Sequence, residues 1–226
     1  MSKKLSNENQ YNNFASEFSD KDTVFPDITR DILYDEVNHL SLDGKFVLDA
    51  GCGYGKDLAY FAAKKAIVFG IDSSSEMITL AKESCPSASY ICDTIEQPFF
   101  TDKKFDLITS RYALQHAQNI GAVLNNMKAV LQKGGELVFF ATHPFRQYFE
   151  KEKKDYWHQE VVTSHIFGKQ LTVQEPSHTL DEYFNEDFLK GMSLKKMKEV
   201  FDPAAEAIPH YGKYPSVLLL HYKKED

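Results

Sequence analysis

Three glycines at alternate positions, Gly51, Gly53 and Gly55, follow the apolar run Phe46-Val47-Leu48 and the acid Asp49. Glycine has no Cβ and tolerates positive φ, so this turn bares main-chain N–H groups at the start of the next helix, where a ligand can approach them. Roughly twenty positions further on, the apolar run Ala66 to Ile71 ends in Asp72, placed to accept both ribose hydroxyls of a nucleotide. A glycine-rich turn by itself can equally serve close packing. Its coupling to Asp72 points to a nucleotide-type cofactor. The pyrophosphate-binding fingerprint is weakened, because Lys56 stands where its third small residue belongs.

The stretch Val47-Leu48-Asp49-Ala50-Gly51-Cys52-Gly53-Tyr54-Gly55 resembles the first motif of class I S-adenosylmethionine-dependent methyltransferases. That resemblance implies S-adenosyl-L-methionine as cofactor and a small molecule as methyl acceptor. It implies that Asp49 helps hold the methionine end of the cofactor, beside Gly51 and Gly53, and that the Ser110 carbonyl and the Arg111 region meet the same end. Met77 then packs on the adenine ring, or serves only as core on its helix. Tyr11 covers the mouth of the site, or anchors an N-terminal arm on the core. Tyr112 and His116 face either the reaction centre or the helix beneath it.

Further readings come from strand ends. Asp93 closes a third strand, Ala88 to Cys92, where its carboxylate can accept from the adenine amine while the N–H groups of Thr94 and its neighbour donate to ring nitrogens; the bland alternative is an Asx turn. Ser73 opens the Ser73-Ser74-Ser75 run that supplies helix-capping oxygens next to Asp72. For an oxygen or carbon acceptor, a neutral histidine can take the proton. His143 in Thr142-His143-Pro144-Phe145 is the best placed, followed by His178, each with an alternative role as a loop cap.

These residues need a scaffold that brings strand ends together. Tyr11, Phe14 and Phe18 mark one face of a helix or arm within residues 7–22, and Ile28, Ile32, Leu33, Val37 and Leu40 mark a flanking helix. Strands are predicted at 46–48, 66–71, 88–92, 105–110 and 136–141, alternating with helices after Lys56, after Ser75 and around Val123 to Leu131. Such alternation predicts an α/β, doubly wound Rossmann-like sheet with helices on both faces, seven strands in all once 193–201 and 216–222 are added. Residues 142–177 break the rhythm with interleaved aromatic and charged side chains, and read as a lid insertion after the fifth strand, with a hairpin around Phe167-Gly168-Lys169.

The 226 residues suit one domain with 1–40 as an N-terminal arm and helix. No run approaches the roughly twenty apolar residues of a membrane span, and Met1-Ser2-Lys3-Lys4 leads into polar sequence, so a cytoplasmic protein without membrane attachment is expected. Cys52, Cys85 and Cys92 form no C-x-x-C pair, so free thiols and no metal are expected. A formal charge of −7 argues against a nucleic-acid surface. The expected partner is a small-molecule substrate, with the chain a monomer or homodimer. Two competing functions share the glycine turn: an NAD-dependent oxidoreductase, which leaves Asp93 unexplained, and a binding module that performs no transfer.

Overall fold

A computed structural model describes residues 7–202 and 212–225; the Met1 to Lys4 start lies outside them. α1 (Asn7–Val24) is bent at Phe14 and α2 (Ile28–Val37) is capped by Asp27, whose carboxylate accepts from the N–H groups of Thr29 and Arg30. There follow β1 (Phe46–Ala50), α3 (Lys56–Ala63), β2 (Ile67–Asp72), α4 (Ser75–Ser84), β3 (Ser89–Cys92) and β4 (Phe105–Arg111). After a 3₁₀ turn at Leu114–His116 come α5 (Ile120–Val130) and β5 (Leu131–Thr142).

These five strands are parallel in the order β3-β2-β1-β4-β5. Their period-two burial explains how short apolar runs serve two cores. Leu48 and Ala50 pack with α5 on one face, and Val47 packs with Leu33, Leu58 and Phe61 of α2 and α3 on the other. The order reverses between β2 and β4 around β1, which leaves a crevice at the strands' C-terminal ends.

Residues 142–177 leave the sheet. α6 (Pro144–Glu150) is followed by an antiparallel pair, β6 (Val161–Ile166) and β7 (Leu171–Pro176), with its turn at Phe167-Gly168-Lys169. The chain then returns through a 3₁₀ turn at Leu180–Phe184, α7 (Glu186–Leu189), β8 (Met192–Val200) and β9 (Val217–Lys224). β9 runs antiparallel between β5 and β8, so the last strand lies inside the sheet and β8 forms its edge. Among the described residues no helix is long and apolar enough to cross a membrane.

Candidate active site

The three glycines of the turn do different work. All have left-handed backbone, at φ +81° for Gly51, +49° for Gly53 and +83° for Gly55. A Cβ on Gly51 would lie 2.2 Å from the Ala113 methyl and one on Gly55 would lie 3.0 Å from the Ala81 backbone, whereas one on Gly53 would meet nothing within 4 Å. Gly51 and Gly55 therefore seat the turn against neighbouring elements, and Gly53 faces open space. Packing therefore accounts for Gly51 and Gly55 and not for Gly53.

Asp72 holds this turn in place. Its Oδ2 accepts from Gly53 N–H and its Oδ1 from Ser74 N–H, both at 2.9 Å, so one carboxylate ties the glycine turn to the start of α4. Burial pushes its pKa up, against the three backbone N–H bonds that favour the anion. Asp49 is more strained electrostatically. It is buried, accepts from the Thr109 hydroxyl at 3.0 Å, and burial together with the nearby charge of Asp57 drives its pKa well above the usual carboxylate range. Among the described residues neither Asp49 nor Asp72 has an ion-pair partner, so Asp49 is suited to receive a cationic group from a ligand.

Both acids border one cavity of about 250 Å³ at the C-terminal ends of the strands. One half is bounded by Gly51, Gly53, Asp72, Ser73, Met77 and Thr94, with Ile95 below. Met77 is 2% exposed and so belongs to the core and the cavity wall at once. Two expected cofactor residues are not in the wall. Ser110 is wholly buried, its hydroxyl donating to the Ala50 carbonyl at 2.6 Å, which ties β4 to β1. Asp93 is exposed, and its carboxylate accepts from the N–H of the next residue, Thr94, at 2.7 Å, one position short of an Asx turn.

The other half of the cavity is bounded by α1, the segment after β4, and residues 142–177. Tyr112 sits there with φ +55°, a conformation uncommon outside glycine, and this reversal brings Ala113 against Gly51. The Tyr11 hydroxyl lies 3.0 Å from His116 Nε2, and both residues line the cavity. Burial lowers the His116 pKa, outweighing the opposing pull of the Glu175 charge, so the ring is neutral at neutral pH. Burial, then the charges of Glu175 and Asp72, raise the Tyr11 pKa.

The cavity wall also holds an ion-pair network that local sequence pattern did not reveal. Arg111 bonds Asp57 at 2.7 Å and Asp27 at 2.6 Å, while Arg30 bonds Asp57 at 2.9 Å, Asp22 at 3.0 Å and Asp27 at 3.2 Å. Tyr34 donates to Asp57, and Tyr54 to Asp22. Although burial alone would raise it, the Asp57 pKa is held at about 2 by the two guanidiniums. The network joins α1, α2, α3 and the end of β4, and so fixes the wall around the glycine turn.

The histidine expected as a base is not brought to the cavity. His143 is fully buried and caps α6, its Nδ1 accepting from Phe145 N–H at 3.0 Å, while Nε2 pairs with Glu199 of β8 at 3.0 Å. Both ring nitrogens are committed to structure. His178 is similarly engaged, by Glu182 and the Gln115 carbonyl. The residues of 142–177 that do reach the cavity include Arg146, Ser164, Phe167 and Glu175. Trp157 is 76% exposed, and neither it nor Tyr148 is in the wall.

Residues 48–139 match the family model described as a methyltransferase domain. The ubiquinone biosynthesis O-methyltransferase of Coxiella burnetii is 36% identical over 133 residues, covering 57% of this chain and 54% of that protein. The malonyl-[acyl-carrier protein] O-methyltransferase of Hamiltonella defensa is 34% identical over 94 residues, covering 42% of this chain and 36% of that one. The chain thus spans about half the length, or less, of these relatives. Among solved structures, a putative S-adenosylmethionine-dependent methyltransferase from Listeria monocytogenes superposes with a TM-score of 0.67 at 24% identity, over 85% of this chain and 98% of that one. Residues 48–139 thus carry a methyltransferase-domain match, on a chain whose fold, with its antiparallel last strand inside the sheet, is that of S-adenosylmethionine-dependent methyltransferases.

Proposed function

We propose that the cavity binds S-adenosyl-L-methionine and that the chain transfers a methyl group from it to a small-molecule acceptor. One observation carries the reading: open space at Gly53 lies directly beside the Asp72 carboxylate, with Asp49 buried in the same cavity wall and, among the described residues, without an ion-pair partner. These residues fit the cofactor. Asp72 would hold the ribose through lone pairs left over from its backbone bonds, Asp49 would meet the ammonium group, and Met77 and Ile95 would flank the base. When bound, the cofactor supplies an activated methyl on a sulfonium centre.

The chain's own part is alignment and proton handling. The half of the cavity bordered by Tyr11, Tyr112 and the 142–177 segment is assigned to the acceptor, which these residues would align and shield from water. His116, neutral and in the cavity wall, is the group able to take a proton from an acceptor, directly or through the Tyr11 hydroxyl. The two O-methyltransferase relatives support a small-molecule acceptor. Incubation with methyl-labelled S-adenosylmethionine and a metabolite extract tests the proposal: a labelled product identified by mass spectrometry is expected, whereas cofactor binding without any labelled product would make the chain a binding module.

A further inference from the structure

Glu175 is 1% exposed, lies in the wall of the acceptor half, and has no ion-pair partner among the described residues. Its contacts are all with neutral donors. Oε1 accepts from Gln147 Nε2 at 3.0 Å and from the Ser164 hydroxyl at 3.2 Å, and Oε2 accepts only a long bond of 3.4 Å from the Thr142 hydroxyl. Thr142 and Ser164 line the same cavity, so the carboxylate sits at the cavity surface and not behind it.

The arginines that line the cavity are engaged elsewhere. Arg146, also in the wall, gives its guanidinium to the His165 carbonyl at 2.9 Å. Arg30 and Arg111 pair with Asp22, Asp27 and Asp57. His116, which does feel the Glu175 charge, is kept neutral by burial. A buried carboxylate without a counter-charge is costly unless one arrives with a ligand. In the reading above, the cofactor's ammonium is matched by Asp49, which leaves Glu175 without a role toward it.

We propose that Glu175 selects an acceptor bearing a protonated nitrogen, an ammonium or guanidinium group, seated among the aromatic side chains of the cavity. This rests on the methyltransferase reading above and adds the acceptor's charge to it. Phe18, Phe25 and Phe167, in contact with one another through Phe167 and lining the same half, supply the apolar surface for the rest of such a molecule.

The full chain, saturated with S-adenosylhomocysteine, is titrated calorimetrically with 2-phenylethylamine and with 2-phenylethanol, which differ at one charged group. The amine is expected to bind at least about tenfold more tightly than the alcohol, a typical effect of one hydrogen bond to a charged group. In Glu175→Gln, which keeps the shape and can keep the bonds from Gln147 and Ser164, the preference should fall to about twofold through loss of amine affinity alone, and Glu175→Asp should restore part of it. Equal binding of the two compounds, no binding by either, or a preference that survives Glu175→Gln would overturn the proposal. Because S-adenosylhomocysteine affinity is measured on the same samples, its persistence in any of these outcomes leaves the cofactor reading intact, and its absence from the parent protein would count against that reading instead.

Discussion

The hydroxyl of Tyr11, on the N-terminal helix, meets Nε2 of His116, on the turn after the fourth strand, at 3.0 Å across the cavity. The pair joins two segments separated by most of the nucleotide-binding half of the chain. Asn12, one residue on, accepts from the Ser74 hydroxyl, and Gln10 bonds the Gln174 backbone, so α1 bridges the cofactor side and the β6–β7 hairpin.

If His116 and Tyr11 handle the acceptor's proton, His116→Ala should lower turnover roughly 100-fold. Tyr11→Phe should lower it less, since the histidine remains. Both variants should bind S-adenosylhomocysteine within about twofold of the parent, as judged by calorimetry, because a neutral-neutral hydrogen bond lost outside the nucleoside half contributes little there. A matching fall in cofactor affinity and turnover would reassign the pair to holding the cofactor.

His143→Ala should act on stability alone. It removes the cap of α6 and the contact with Glu199, at a cost of about 1–2 kcal/mol in urea unfolding. Cofactor affinity and turnover should stay unchanged. A selective loss of turnover in a variant of normal stability would return His143 to catalysis.

Gly51→Ala and Gly53→Ala should separate packing from binding. At Gly51 the new methyl collides with Ala113, so destabilisation of about 1–3 kcal/mol is expected. At Gly53 the added methyl meets no protein atom, so the fold should lose only the strain of a left-handed alanine, about 1–2 kcal/mol, with the larger effect on cofactor affinity. Denaturation and titration of both variants resolve the two effects.

Asp57 makes stability depend on acid. Its folded pKa of about 2 lies below the unfolded value, so its contribution is fully present above about pH 4 and is lost as pH falls toward 2. Asp27, whose pKa is also lowered, adds to the same slope. The urea midpoint of the parent should therefore drop across that window, and Asp57→Asn should flatten the drop while reducing stability at pH 7 by about 3–5 kcal/mol, since Arg30 and Arg111 lose a buried partner.

Most of the fold was legible because its signals are local. Strand periodicity, the turn residues around Gly51 and the acids at strand ends each occupy a few consecutive positions; β1 and β4 begin at Phe46 and Phe105 as expected, and β2 begins at Ile67, one residue after the expected Ala66. The hairpin within 142–177 was visible for the same reason. What was hidden is non-local. Asp22, Asp27, Arg30, Asp57 and Arg111 are spread over three helices, a turn and a strand, and Asp57 reads from sequence as an ordinary acid in the first turn of α3. His143 misled because proximity to a strand end gives no side-chain direction; the ring turns toward Glu199 of β8, 56 residues later. Glu175 carried no sequence signal, since only the pairing of β7 with β6 places it among Ser164, Gln147 and Thr142.

The central claim is that Asp72 and the glycine turn form a cofactor site, and calorimetric titration of S-adenosyl-L-methionine into the parent protein and Asp72→Ala tests it most directly. One site per chain is expected in the parent. Asp72→Ala should bind about 1.5–3 kcal/mol more weakly, the range for a hydrogen bond to a charged group, while circular dichroism shows it folded. No binding by the parent, or an unchanged dissociation constant in the folded variant, would contradict the account.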